Sequence, residues 1–183
     1  PETSVKDIPS NVVNALDNKL GKGFCSKVAE VAKEIGCSPE DLLAVMSFES
    51  GISTSIVNKS SGATGLIQFM PDVAKGLGTT TSALKQMSGV EQMEYVKKYM
   101  VSRKQANIPD KEKLDAGDVY SLVFLPGYAK KDVLCERGGR YYKGNAGLDR
   151  DKDGKITKKD LYNAAWSAYK NVMKKMDVDV KTV

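Results

Sequence analysis

The sequence predicts one mainly α-helical domain over residues 1–183, and three observations carry that prediction. Apolar residues recur at three- and four-residue spacing in several separate stretches. Residues that start and stop helices bracket those stretches. A composition of 41% hydrophobic and 28% charged residues suits a chain that buries a core, not a disordered tail.

Taken in order, Phe24, Val28, Val31, Ala32 and Ile35 mark a first helix that Gly36 stops. Ser38-Pro39-Glu40-Asp41 opens the next: a capping serine, a proline in the first turn, and acids at the positive end of the dipole. That helix runs to Ser50 and meets Gly51. Residues 51–70, rich in Ser, Gly and Thr, predict an irregular loop with a short hairpin. Pro71 begins a short helix ending near Gly76 or Gly78. Ser88-Gly89-Val90-Glu91 is a capping box, leading into a long helix with Val90, Met93, Val96, Tyr99 and Met100 inward. Asp118 to Leu125 predicts a shorter apolar helix ending at Pro126-Gly127. Residues 136–148 form a loop rich in Gly, Arg and Tyr, and a last helix covers Lys158 to Lys175, with Thr157 as its cap and Asp160 completing the box.

Composition excludes several chemistries. Histidine is absent, which removes Ser-His and Cys-His nucleophiles and the common zinc sites. Acid–base chemistry must then run on carboxylates, lysines or tyrosines. Cys25, Cys37 and Cys135 are an odd number without paired metal-ligand spacing. The spacing allows a Cys25–Cys37 disulfide, and three partly buried thiols are the simpler reading. A net charge of +5 suits an anionic polymer, but no basic cluster interleaved with aromatics points to nucleic acid. No apolar run is long enough to span a membrane. The chain begins at Pro1 without a basic-then-apolar leader. It therefore reads as a processed protein or excised segment whose upstream part holds any address signal.

Glu49 is the candidate catalytic residue. Leu42, Val45 and Met46 precede it by seven, four and three residues, which predicts that it ends an apolar stripe. It also occupies the last turn, where the helix dipole disfavours negative charge. Both effects raise a carboxyl pKa, as a glycosidase acid requires. After Glu49-Ser50-Gly51 come Asn58 and then Gly62-Ala63-Thr64-Gly65-Leu66-Ile67-Gln68-Phe69-Met70-Pro71. This block, over residues 38–80, closely resembles the pattern of soluble lytic transglycosylases and goose-type lysozymes. The resemblance implies a lysozyme-like fold, with the Gly-rich run as the cleft wall opposite the acid. Glycines let a sugar approach the backbone, and an amide such as that of Gln68 both donates and accepts. The resemblance implies that Ser50 and Gln68 are cleft residues flanking the acid, Asn58 and Gly65 join them as candidate substrate-binding residues, and Phe69 and Met70 read as core.

The resemblance further implies a reaction. Glu49 protonates the oxygen of the β-1,4 bond between N-acetylmuramic acid and N-acetylglucosamine. It then acts as base while the muramyl 6-hydroxyl closes to a 1,6-anhydro product. One carboxylate suffices and no cofactor is needed, whereas a hydrolase usually needs a second acid. Asp72, Glu91 and Glu94 are candidates for that second acid in the hydrolytic, muramidase alternative. A noncatalytic wall-binding module is the other alternative. Many family members carry a tyrosine facing the acid in an Ala-Tyr-Asn-Ala-Gly run. The nearest counterpart here is Leu122-Val123-Phe124-Leu125-Pro126-Gly127-Tyr128, which makes Tyr128 the positional substitute. By the same resemblance this form is phage-type. The implied partner is the glycan strand of bacterial peptidoglycan, met in the periplasm or wall. The implied protein is a monomer, or part of a larger phage-encoded or secreted one.

Asp149 to Asp160 matches the twelve-residue EF-hand loop, giving a single loop of this type. Asp149, Asp151 and Asp153 stand at positions one, three and five, Gly154 at six, the Lys155 carbonyl at seven, and Asp160 at twelve. Such a cluster of acids predicts a structural Ca²⁺ site. Aspartate at position twelve and the lack of a partner loop predict a weaker, solitary one. Some lytic transglycosylases resemble this chain in carrying a calcium loop. A helical calcium sensor would need paired loops. In the segment before it, Tyr141 and Tyr142 are adjacent, and Tyr141 is the candidate to stack on a sugar.

Overall fold

The computed structural model describes residues 5–180. Pro1, on which the expectation of processing rests, lies outside the described residues. The helices are α1 (Ser10–Leu20), α2 (Phe24–Ile35), α3 (Pro39–Ser50), α4 (Pro71–Gly76), α5 (Thr81–Gln86), α6 (Gly89–Asn107), α7 (Ala116–Phe124) and α8 (Lys158–Lys175). Two short strands, β1 (Val133–Glu136) and β2 (Lys155–Thr157), pair antiparallel. None of the described helices is long and apolar enough to cross a membrane.

The caps expected from sequence form. Ser38 Oγ accepts from the Asp41 amide at 3.1 Å, and Ser88 with Glu91 and Thr157 with Asp160 make capping boxes. The apolar run of α7 begins two residues earlier than its pattern indicates. Asp115 is its cap and Asp118 closes the box as the third helical residue. Asp118 is buried between two ammonium groups, Lys111 at 2.7 Å and Lys158 at 2.8 Å, which ties α7 to the start of α8. The helices α1 and α5 were not anticipated. In α1, Val12, Leu16 and Leu20 are buried at a strict spacing of four.

Helix α3 lies at the centre, packed by α2, α7 and α8, with α8 making the most extensive contact. Every residue from Leu42 to Ser47 is buried. The stripe expected from sequence is therefore a helix apolar on all sides, as a core helix is. Its first turn is anchored to α8: Tyr169 donates its hydroxyl to Glu40 at 2.8 Å, and the Trp166 indole donates to Asp41 at 2.9 Å. With one end pinned and the middle packed, the other end has little freedom. Cys25 and Cys37 are free and buried, and Cys135 is free and half-buried, so the described chain holds thiols and not the Cys25–Cys37 bridge.

Candidate active site

Glu49 stands in the last turn of α3, half-buried. Burial raises its carboxyl from an ordinary 4.5 to about 7, and a hydrogen bond from the Tyr120 phenol pulls weakly the other way. Tyr120 is itself buried in α7, and its phenol is raised by burial and then by the Glu49 charge. Its ring lies 5.0 Å from Phe48 and 6.0 Å from Phe124, so aromatic groups replace water around the acid. Phe48 remains 39% exposed, an apolar surface beside the carboxyl.

Tyr120 is the tyrosine facing the acid, and Tyr128 is not. The Tyr128 ring packs on Tyr141 at 6.2 Å and 71°. Sequence reading sought the tyrosine at the end of this helix and passed over the one inside it. The available signal was a phenol in an apolar run, since a buried hydroxyl needs a partner and the acid of a neighbouring helix supplies one.

The segment after α3 is held to the helix by two buried side chains. Ser50 Oγ donates to the carbonyls of Met46 at 3.1 Å and Leu66 at 2.9 Å, and accepts from the Ser53 amide at 3.1 Å. Ser50 thus acts as a clamp between helix and wall: its hydroxyl is buried and committed within the chain. Gln92, buried in α6 and missed by sequence reading, is the second clamp. Its Oε1 accepts from the Leu66 amide at 2.7 Å, and its Nε2 donates to the carbonyls of Thr54 at 2.9 Å and Leu84 at 2.8 Å. Gly65 exists for this contact. It holds φ +81°, and a Cβ there would stand 2.4 Å from Gln92 Oε1. Gly65 is itself buried within the wall.

The wall itself is a tight double turn. Thr64 bridges to both Val57 and Phe69. Asn58 Oδ1 accepts from the amides of Ser60 at 2.9 Å and Ser61 at 3.3 Å, which makes Asn58 a turn former with an exposed side chain. Gln68 adopts φ +56°, unusual for a residue with a side chain. Its Nε2 donates to the carbonyls of Gly65 at 3.2 Å and Ile56 at 3.3 Å, leaving Oε1 as acceptor. Phe69 is buried as expected, but Met70 is 44% exposed, because it precedes α4 as its cap residue and the chain turns outward there. Ile56 and Val57 are also exposed, giving the wall an apolar rim.

The structure therefore ties Ser50, the neighbour of Glu49 in the last turn of α3, to the wall through the Leu66 carbonyl, and Gln68 to the same wall through the Gly65 carbonyl. Tyr128 and Tyr141 form a separate pair on the far side of α7 in sequence.

In the acidic loop, one carboxylate oxygen from each of Asp149, Asp151 and Asp153 lies within 4.8 Å of the others. Asp149 accepts from the amides of Asp153 at 3.2 Å and Gly154 at 2.9 Å, and Gly154 takes φ +86°, the sharp turn position six requires. The Tyr142 hydroxyl also donates to Asp149, lowering it to about 2, while the hydrogen bond with Asp149 raises Asp151. These acids crowd one another in the manner of a donor set for a hard cation. Asp160 fits less well, since its Oδ2 accepts from the Thr157 amide at 2.9 Å and hydroxyl at 3.1 Å. The exit strand β2 pairs with β1, register Cys135 to Ile156, so an ordinary strand covers the edge that a second loop covers in a paired hand.

A mainly helical, lysozyme-like domain results, with a raised acid at the end of its central helix beside a clamped, glycine-rich wall. Residues 26–96 match the family model of the transglycosylase SLT domain. The match runs from α2 into α6 and takes in Glu49, Gln68 and Gln92. It supports the lytic transglycosylase and lysozyme-like family, and peptidoglycan as the material acted upon. Neither a curated protein nor a solved structure matches the chain.

Proposed function

We propose that this chain is a peptidoglycan lytic transglycosylase with Glu49 as its acid and base, in a single catalytic domain. The observation that carries the reading is a carboxyl raised to about 7 by burial, at the end of a helix anchored in the core. The protonated carboxyl gives its proton to the glycosidic oxygen as the muramyl C1–O bond breaks. The carboxylate left behind takes the proton of the muramyl 6-hydroxyl as that oxygen bonds to C1, which returns Glu49 to its acid form. The Tyr120 phenol stabilises the carboxylate between the two transfers. In this reading Gln68 Oε1 and the apolar rim at Phe48, Ile56 and Met70 meet the glycan, which the exposure of those three side chains supports.

Two candidates for a hydrolase's second acid are committed elsewhere. Glu91 closes the α6 capping box and Glu94 pairs with Lys27. Digestion of purified sacculi is expected to release 1,6-anhydro-muropeptides, one water lighter by mass spectrometry than hydrolytic products. Reducing muramyl ends in their place would assign the chain to the muramidases.

The acidic loop is proposed as a structural Ca²⁺ site, with Asp149, Asp151 and Asp153 as carboxylate donors, the Lys155 carbonyl, and Asp160 through its second oxygen. A bound cation would neutralise the crowded acids and fix the turn that starts α8. Calcium is expected to raise the melting temperature and a chelator to reverse the rise, by about 2–3 kcal/mol at a hundredfold excess over Kd. A midpoint indifferent to both would remove calcium from the account.

A further inference from the structure

Helix α8 carries a face that the catalytic reading leaves unused. Tyr162, Trp166 and Lys170 recur at a spacing of four, so they stack along one side of it, with Asn163 and Ser167 beside them. Together with Arg150, from the second position of the acidic loop, they line a groove of about 280 Å³. Arg150 closes one wall by donating from its guanidinium to Ser167 Oγ at 3.1 Å. The Tyr162 and Trp166 rings, 6.2 Å apart at 35°, form the aromatic part. The groove is separate from the cleft. Trp166 holds Asp41 in the first turn of α3, and Glu49 stands eight residues further along that helix, about 12 Å at 1.5 Å per residue.

The lining is rich in donors and contains no carboxylate. Among the described residues, neither Arg150 nor Lys170 has an ion-pair partner within 4.0 Å. Asp149 and Asp151, beside Arg150 in sequence, face each other within the acidic loop. Asp41 and Asp115, whose charges reach Tyr162, are engaged in the helices: Asp41 accepts from the Trp166 indole at 2.9 Å and Asp115 from the Asp118 amide at 3.0 Å. Ser167 Oγ accepts from Arg150, which leaves its own O–H to donate.

Two cations without a counter-charge, flanking a polar groove, are the complement of an anion, and a guanidinium fork suits a carboxylate. The Asn163 amide both donates and accepts, as a peptide group needs. The volume lies just under the roughly 300–1,000 Å³ of small-molecule sites, which suits the end of a peptide better than a sugar chain. We propose that this groove is a second substrate site, which takes the terminal carboxylate of a peptidoglycan peptide stem between Arg150 and Lys170. The inference rests on the transglycosylase reading and adds to it a contact remote from the cleaved bond. A wall carries many stems, so holding one of them keeps the cleft at a high effective concentration of glycan.

Trp166 is the chain's one tryptophan, so its fluorescence reports directly on the groove. The test titrates the intact protein with N-acetyl-D-alanyl-D-alanine, with the same dipeptide as its C-terminal amide, and with inorganic phosphate. The dipeptide acid is expected to change the emission saturably, and the amide to do so at least about tenfold more weakly. Lys170→Gln, at an exposed position, and Arg150→Gln should each weaken the acid by a similar factor, and Lys170→Arg should retain most of the affinity. Equal binding of acid and amide, or affinity untouched by both charge-removing variants, overturns the proposal. Phosphate bound as tightly as the dipeptide overturns the stem assignment. Digestion of sacculi separates this failure from the larger one. A protein that cleaves sacculi but gives no fluorescence response loses only the groove, whereas one that binds the dipeptide and cleaves no strand keeps the groove and loses the enzyme reading.

Discussion

A Glu49→Gln variant is expected to lose about 10²–10⁴-fold in cleavage of sacculi, and yet to be more stable than the wild type above pH 7. The two effects share one cause. Burial holds the folded-state pKa at about 7, above an ordinary 4.5. Between those values the folded protein keeps a proton that the unfolded chain has released, so stability falls as pH rises through that window. Above it, the ionised acid costs up to about 3 kcal/mol at roughly 1.36 kcal/mol per unit, less whatever its half-exposed position returns. The amide keeps the shape and can still accept from Tyr120, without the charge. Thermal melts at pH 5 and pH 8 check the sign: the gap between variant and wild type should open at pH 8. Activity should follow the same group, falling as pH rises through about 7. Tyr120→Phe, which removes a hydrogen bond favouring the carboxylate, should move that fall to higher pH. A variant that still cleaves would mean another acid does the chemistry. One destabilised equally at both pH values would mean the charge of Glu49 is not strained by burial.

A Gln92→Leu variant is expected to lose about 3–9 kcal/mol of stability, because three backbone groups, two buried and one half-buried, lose their partners at about 1–3 kcal/mol each. The groups are the Leu66 amide and the carbonyls of Thr54 and Leu84. At about 2–4 °C per kcal/mol for a chain of this size, the melting temperature should fall by about 10 °C or more. Cleavage should fall even where the variant is still folded. Leu66 is also the residue that Ser50 holds, and Gln68 follows it by two positions, so the wall drifts when Gln92 goes. Such a loss marks a positioning role, since Gln92 is buried and out of substrate's reach. An unchanged melting temperature would show that the three groups find other partners and that the wall does not depend on α6.

Much of the helical frame was legible in the sequence because its signals are local. Ser38-Pro39, Ser88 with Glu91, and Thr157 with Asp160 each fix a helix start through side chains three residues apart, and each forms as written. The helix α5, six residues long, is too short to show a period. The start of α7 was misplaced by two residues because the apolar pattern begins at Asp118, whereas Asp115 caps the helix and Asp118 closes the box as its third residue. Within the site, Glu49 and the Gly-Ala-Thr-Gly wall stood out by motif. The roles of Ser50, Asn58 and Gly65 did not, because a hydroxyl, an amide or a missing Cβ has no orientation until its neighbours are placed.

The amino-acid order by itself determined that an acid ends a helix four residues beyond Val45 and that a turn-forming wall follows it. It also set three aspartates at alternate positions around a glycine. Only the tertiary structure decided that Tyr120 would meet that acid, that Gln92 would carry the wall, and that β1 would cover the acidic loop's edge. Spacing along a chain specifies contacts within a turn or two of helix. Hydrogen bonds between groups 26 or 71 residues apart, as from the Leu66 amide to Gln92 or between Glu49 and Tyr120, exist only once helices have packed and excluded the water that would otherwise satisfy them.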